Sequence, residues 1–178
     1  AVYLSGSEES IAINGGDCRG LYGMAIGRHS RVNQIGQIAF GNGGFSGGGD
    51  GQSSLYILKS DTTDATAEAM TTNKSTAAAD NQIIAQSDCC ITFSGTVVAM
   101  QNGAQAYGGW KVEGILVNDG GTTTLPASTV TAINNASSWG LALSADNTNN
   151  CVKVQVTGEA SHNIRWVANI QTSEVTYA

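Results

Sequence analysis

Apolar positions along this chain follow two different rhythms. Before residue 51 they come in three-residue bursts, Ile11-Ala12-Ile13, Met24-Ala25-Ile26 and Ile38-Ala39-Phe40, beginning 13 and then 14 residues apart. Each burst is closed by Gly or Asn and separated from the next by polar, glycine-rich sequence. Short strands at a fixed period, split by glycine turns, predict stacked coils of a β-solenoid or β-roll. One such coil cannot bury its apolar face alone, so neighbouring coils, and then neighbouring chains, have to cover it.

From Gln52 onward the rhythm becomes period two. Leu55–Leu58, Ile91–Met100, Trp110–Val117, Trp139–Leu143, Cys151–Val156 and Ile164–Ile170 all read as strands. Between them stand turn sequences such as Asn102-Gly103, Gly108-Gly109, Asn118-Asp119-Gly120-Gly121 and Thr157-Gly158. Many short strands with a single proline indicate an antiparallel β-sandwich, jelly-roll-like in kind. Asp64–Met70 is the one helix-compatible stretch. The glycines mark where the rhythm changes: 14 of 23 fall in residues 1–51 and none in 52–94. The chain is therefore divided into a glycine-rich β-repeat shaft or neck, 1–51, and a sandwich head, 52–178, with 42–51 as a flexible joint.

Composition narrows the function. In 178 residues there are 8 Lys+Arg and 14 Asp+Glu, a net charge of −6, and charged residues make up only 12%. Cations scattered singly along the sequence make no basic patch, so no nucleic-acid partner is expected. No apolar run approaches a membrane span, and Ala1–Ser5 shows no leader pattern, so membrane insertion and a signal peptide are not expected. Cys18, Cys89, Cys90 and Cys151 lack metal-ligand spacing, and adjacent Cys89 and Cys90 point to opposite faces of a strand. They are expected to be free, metal-less and packed as small hydrophobes.

Ser10-Ile11-Ala12-Ile13-Asn14 resembles the head repeats of trimeric autotransporter adhesins, whose coils carry S-[IV]-A-[IV]-G. Asn stands in the glycine position, an exchange that still permits a left-handed turn. Residues 50–178 resemble a module at the ends of phage tail fibres and tailspikes. The matching elements are Gly51–Leu58, Thr62–Thr66, Trp110–Gly114, Trp139, Ala145–Asn149, Thr157–Ala160 and Ile164–Ala168, closing on Thr172–Val175. Asp88-Cys89-Cys90 departs from the pattern, where Ser or Thr is expected. The resemblance implies a homotrimeric β-structured fibre tip, assembled in the bacterial host cytoplasm and displayed on a virion below an upstream fibre segment. It implies recognition of a host-surface polysaccharide or outer-membrane protein, no cofactor and no catalytic set.

Candidate chemistry agrees with an adhesin more than with an enzyme. His29 and His162 lie in turn contexts without a nucleophile motif, and both read as solvated. Glu113, Glu159, Glu174 and Asp146 each stand alone, so a glycosidase pair could arise only between subunits. Asp146–Asn150 reads as an Asx-rich hairpin turn, not a calcium loop. Trp110, Trp139 and Trp166 alternate with aliphatics and read as core. Recognition is expected from loops: Gln105 and Tyr107, Asn118 and Asp119, Asn134 and Asn135, Asp146 and Asn147. Arg165, beside Trp166 in an apolar strand, is expected to be buried in the assembly against Glu113 or Glu174. The alternatives to a receptor-binding fibre tip are a glycan-cleaving tailspike with an intersubunit site and a structural virion fibre without a receptor.

Overall fold

The computed structural model describes residues 2–4, 9–103, 106–135 and 139–177. Among these residues the chain is all β, with fifteen strands and no helix. In order they are β1 (Val2–Leu4), β2 (Ile11–Ile13), β3 (Asp17–Cys18), β4 (Met24–Ile26), β5 (Arg31–Val32), β6 (Ile38–Gly41), β7 (Gly51–Thr62), β8 (Ala67–Ala69), β9 (Ile83–Ile84), β10 (Cys89–Gln101), β11 (Tyr107–Asp119), β12 (Thr122–Asn135), β13 (Gly140–Asp146), β14 (Cys151–Thr157) and β15 (Ile164–Thr176). Nine of them form one sheet, ordered β1-β2-β4-β6-β7-β15-β10-β11-β12. A smaller sheet, β13-β14-β8 with β9 also on β14, packs against the long strands. The strands β3 and β5 form a third, two-stranded sheet.

The three apolar bursts become β2, β4 and β6, stacked in parallel so that Ala12, Ala25 and Ala39 lie in register. These alanines are buried with Cys18 and Val32 in a cluster of their own. The turns that close the bursts repeat as regularly as the strands. Left-handed backbone occurs at Asn14 (φ +56°) and Gly27 (φ +89°), and again at Gly15, His29 and Gly43. A positive φ is costly for most side chains, and Asn is one of the few that accept it. At Gly27 a Cβ would also collide with the Gly41 carbonyl oxygen, so only glycine fits.

The sandwich core is built from the inward faces of β7, β10, β11, β14 and β15. Period-two alternation places Tyr56, Leu58, Phe93, Val97, Val112, Val154 and Ile170 inside. At its centre Trp166 contacts Trp110 with ring centroids 5.5 Å apart and Trp139 at 5.7 Å. The Trp166 indole N–H donates to Thr62 Oγ1 at 3.0 Å, so its polar atom is satisfied inside the core. All three tryptophans are core residues.

Two sequence expectations are corrected. Asp64–Met70 forms no helix, because Ala67–Ala69 pairs with Gln155–Thr157 at the edge of the small sheet. The pairing surface overrides a weak local preference. Segment 42–51 is not a loose joint either. β6 pairs directly with the start of β7, Ile38 opposite Leu55 and Gly41 opposite Gln52, so the repeats and the sandwich share one sheet. Side chains reinforce that junction: Gln37 donates to Ser54 Oγ at 2.9 Å and the Tyr56 hydroxyl to Gln34 Oε1 at 3.2 Å. The loop before β7 closes around the Asp50 carboxylate, which accepts from the Phe45, Ser46 and Gly47 amides.

Those bonds hold the Asp50 carboxyl down at about 2, below its usual value near 4. A depressed carboxylate contributes stability that is present above the unfolded-state value and lost as pH falls through about 2. Asp50→Asn is therefore expected to lower the melting temperature at pH 7 and to remove part of the acid sensitivity between pH 4 and 2, read by circular dichroism melts across that range. Gly27→Ala should destabilise by roughly 1–3 kcal/mol or more, since strain and a backbone clash add. Gly47→Ala, where a Cβ meets nothing within 4 Å, should be near neutral in the same denaturant titration.

Candidate binding surface

Alternation that fills the core also fixes what the large sheet shows on its other face. Directly paired residues in antiparallel strands share a face, so the register sorts the outward side chains into rows. At the end nearest the Asn102-Gly103 turn, the first row is Asp61, Arg165, Met100 and Tyr107. The second is Lys59, Val167, Val98, Gly109 and Asn134. The third is Ile57, Asn169, Thr96, Lys111 and Thr131. The fourth is polar apart from Leu55: Gln171, Ser94, Glu113 and Thr129 follow it.

The first two rows are unusually apolar for an uncovered sheet face. Met100 is 62% exposed, Tyr107 and Val98 57%, and Val167 41%, with Ile133 of β12 at 63% beside them. Scattered exposed hydrophobes need no explanation, but a contiguous group on adjacent strands marks an interaction surface. A cavity of about 470 Å³ opens at the same end, lined by Asp61, Met100, Asn102, Asn163 and Arg165 among others. Asp61 is already paired with Lys74 at 2.6 Å.

The loop residues expected to contact a receptor fall at two opposite ends of the long strands. Tyr107, Asn134 and Asn135 belong to the end just described, although Tyr107 opens β11 and does not sit in a loop. The Asn135 side-chain amide donates to the Trp139 carbonyl at 3.1 Å. Gln105 lies outside the described residues. Asn118, Asp119, Asp146 and Asn147 gather at the other end, where most of their polar groups are used within the fold. Asn118 is only 2% exposed; it donates to the Ala85 carbonyl at 2.8 Å and accepts from the Gly121 amide at 2.9 Å. Asn147 Oδ1 accepts from the Thr123 amide at 2.7 Å. Asp146 accepts from Gln82, Asn149 and the Thr148 amide. The side-chain and backbone bonds from Asn149 and Gln82 pull its carboxyl below the usual range against the opposing effect of burial, and it is the Asx turn read from the sequence. Asn118 is corrected from a contact residue to a structural one.

Arg165 is also corrected within the chain. It is exposed, whereas Glu174 lies on the inward side of the same strand, where it accepts from Gln52 and Thr172. Glu113 shares the outer face but stands three rows away, about 20 Å along the strands. Alternation alone places Arg165 opposite Trp166 in facing, but only the register says which carboxylates it can reach. His29 is half-buried and its Nδ1 accepts from the Gly44 amide at 3.0 Å, so it is a turn-holding residue instead of a solvated one.

The four cysteines are free thiols, with Cys89 buried and Cys90 half-buried on opposite faces of β10. Burial, with the Asp146 charge added, pushes the Cys151 thiol up to about 12. Among the described residues no group of three or more His, Cys, Asp or Glu could hold a metal ion. No protein-family model matches the chain, and no curated protein matches it.

The two ends should separate cleanly by mutation. Asn118→Ala leaves the buried Ala85 carbonyl and the Gly121 amide without their partner and should cost about 1–3 kcal/mol. Tyr107→Ala, removing a largely exposed ring, should stay within about 0.5 kcal/mol of the parent. Urea titrations of both variants check this; equal losses would mean that Tyr107 is part of the fold.

Proposed function

We propose that the chain is the distal, receptor-binding end of a phage tail fibre. In this reading it is a homotrimer: residues 1–51 wind as a short β-roll shaft, and residues 52–178 form a jelly-roll-like head that attaches to a host-surface polysaccharide or outer-membrane protein. It is assembled in the host cytoplasm and carried on the virion beyond an upstream fibre segment.

One observation carries the reading. In the three apolar bursts the central alanine is inside and the large flanking residues are outside. Ala12, Ala25 and Ala39 are buried, while Ile11, Ile13, Met24, Ile26 and Ile38 are half-buried and Phe40 is 47% exposed. An uncovered face of that kind loses apolar burial on every coil and favours association. Charge supports the same face as the contact between copies. Residues 1–51 hold three cations and four acids, whereas 52–178 hold five cations and ten acids, so like copies repel least through the repeats.

The sheet's own twist keeps the two roles apart. Between β6 and β11 there are four strand steps, and at roughly 20–25° each the outer face turns by about 80–100°. Contact between repeats then leaves the Met100 and Tyr107 end free to face a receptor.

Sedimentation equilibrium should return three times 18.2 kDa, and Phe40→Asp with Ile26→Asp should dissociate the trimer. The intact assembly should adsorb to a subset of strains in a panel of bacteria and compete with phage for them. A monomer at high micromolar concentration, or an assembly that binds no strain, contradicts the reading.

A further inference from the structure

The acidic head concentrates cations on one surface. Of its five Lys and Arg residues, three point out from the first three rows of the large sheet: Arg165, Lys59 and Lys111. They come from β15, β7 and β11, and none of these side chains has an ion pair or hydrogen bond among the described residues. The one carboxylate in those rows, Asp61, is neutralised by Lys74. Unpaired cations surround an exposed apolar and aromatic floor on a protein whose net charge is −6.

That floor is shaped as well as charged. Between Tyr107 and Lys111 on β11 the outward position is Gly109, and a Cβ there would meet only the Val97 carbonyl oxygen, at 3.9 Å. The missing side chain leaves a shallow dip bounded by an aromatic ring, a lysine and Val98. Asn169, Thr96 and Thr131 fill the third row with amide and hydroxyl groups. Strand and row spacings spread the three cations over about 17 Å.

We infer that this face binds an acidic polysaccharide, one whose repeating unit carries carboxylate groups. This rests on the receptor-binding reading and names the ligand class for the same surface. Arg165, Lys59 and Lys111 meet successive carboxylates along the chain. Tyr107 and Val98 cover the apolar face of a pyranose seated over Gly109, and the amides and hydroxyls take its rim. A neutral glycan would leave three cations unmatched, and a purely charged polymer would leave the apolar floor uncovered.

The test is retention of the intact protein on immobilised oligogalacturonate, polysialate and hyaluronan. Their carboxyl-reduced forms, dextran, polyglutamate, a DNA duplex and phosphatidylglycerol vesicles run alongside. At least one acidic glycan should be retained, with loss on carboxyl reduction and about tenfold weakening from low to high salt. Arg165→Ala and Lys111→Ala should each weaken that binding about tenfold with an unchanged melting temperature, because both groups are exposed and unpaired. Gly109→Val should abolish it without moving the melting temperature. Equal retention of the reduced glycans or dextran, or preference for polyglutamate, DNA or vesicles, overturns the inference. So does indifference to all three substitutions. If no probe is retained while the protein still adsorbs to bacterial strains, the acidic ligand is wrong and the adhesin reading survives. If neither glycan nor strain is bound, both are wrong.

Discussion

The rest of the structure depends on four residue pairs. Ile38–Gly41 of β6 lies against Gln52–Leu55 of β7, and this short antiparallel contact joins the repeats to the sandwich as one nine-stranded sheet. Without it the repeats would be a thin stack on a glycine hinge, and their outward side chains would bear no fixed relation to the head. With it, every outward residue from Ile11 to Thr131 belongs to a single twisted surface. The Gln34–Tyr56 and Gln37–Ser54 bonds protect that junction, burying amides that would otherwise compete for water.

The two faces of this sheet obey different rules. Inward, large side chains converge on three tryptophans, and Thr62 Oγ1 accepts from the Trp166 indole N–H at their centre. Outward, the surface is zoned: apolar along the repeats, hydroxyl-rich in the middle, and apolar with unpaired cations at the far end. A solvent-facing sheet with no partner would show polar residues throughout. The zoning is the physical reason to propose one region as a contact between copies of the chain and another as a contact with a receptor.

Much of the fold was legible because it is local. Burst spacing marked the three short strands that stack, Asn14 was read as a residue that permits a left-handed turn, and alternation put the tryptophans inside. The surface was not legible, because it is a product of register between distant segments. Lys59, Lys111 and Arg165 read as isolated charges along the chain, and only β7-β15-β10-β11 pairing gathers them. Asn118 was misplaced for the same reason: it looks like a turn residue, yet its side chain closes a bond to Ala85, 33 residues away. Ala67–Ala69 became a strand since β14 offered it an edge, information absent from its own sequence.

One sheet face is proposed to hold two separate contacts, between copies at the repeats and with a receptor at the far end. Hydroxyl-radical footprinting reads both at once, because Met24 and Phe40 report the first and Met100 and Tyr107 the second. In the isolated assembly Met24 and Phe40 should be shielded while Met100 and Tyr107 are oxidised, and adsorption to receptive cells should shield the latter pair too. Oxidation of Met24 and Phe40 in the assembly, or of Met100 and Tyr107 in the cell-bound state, would contradict it.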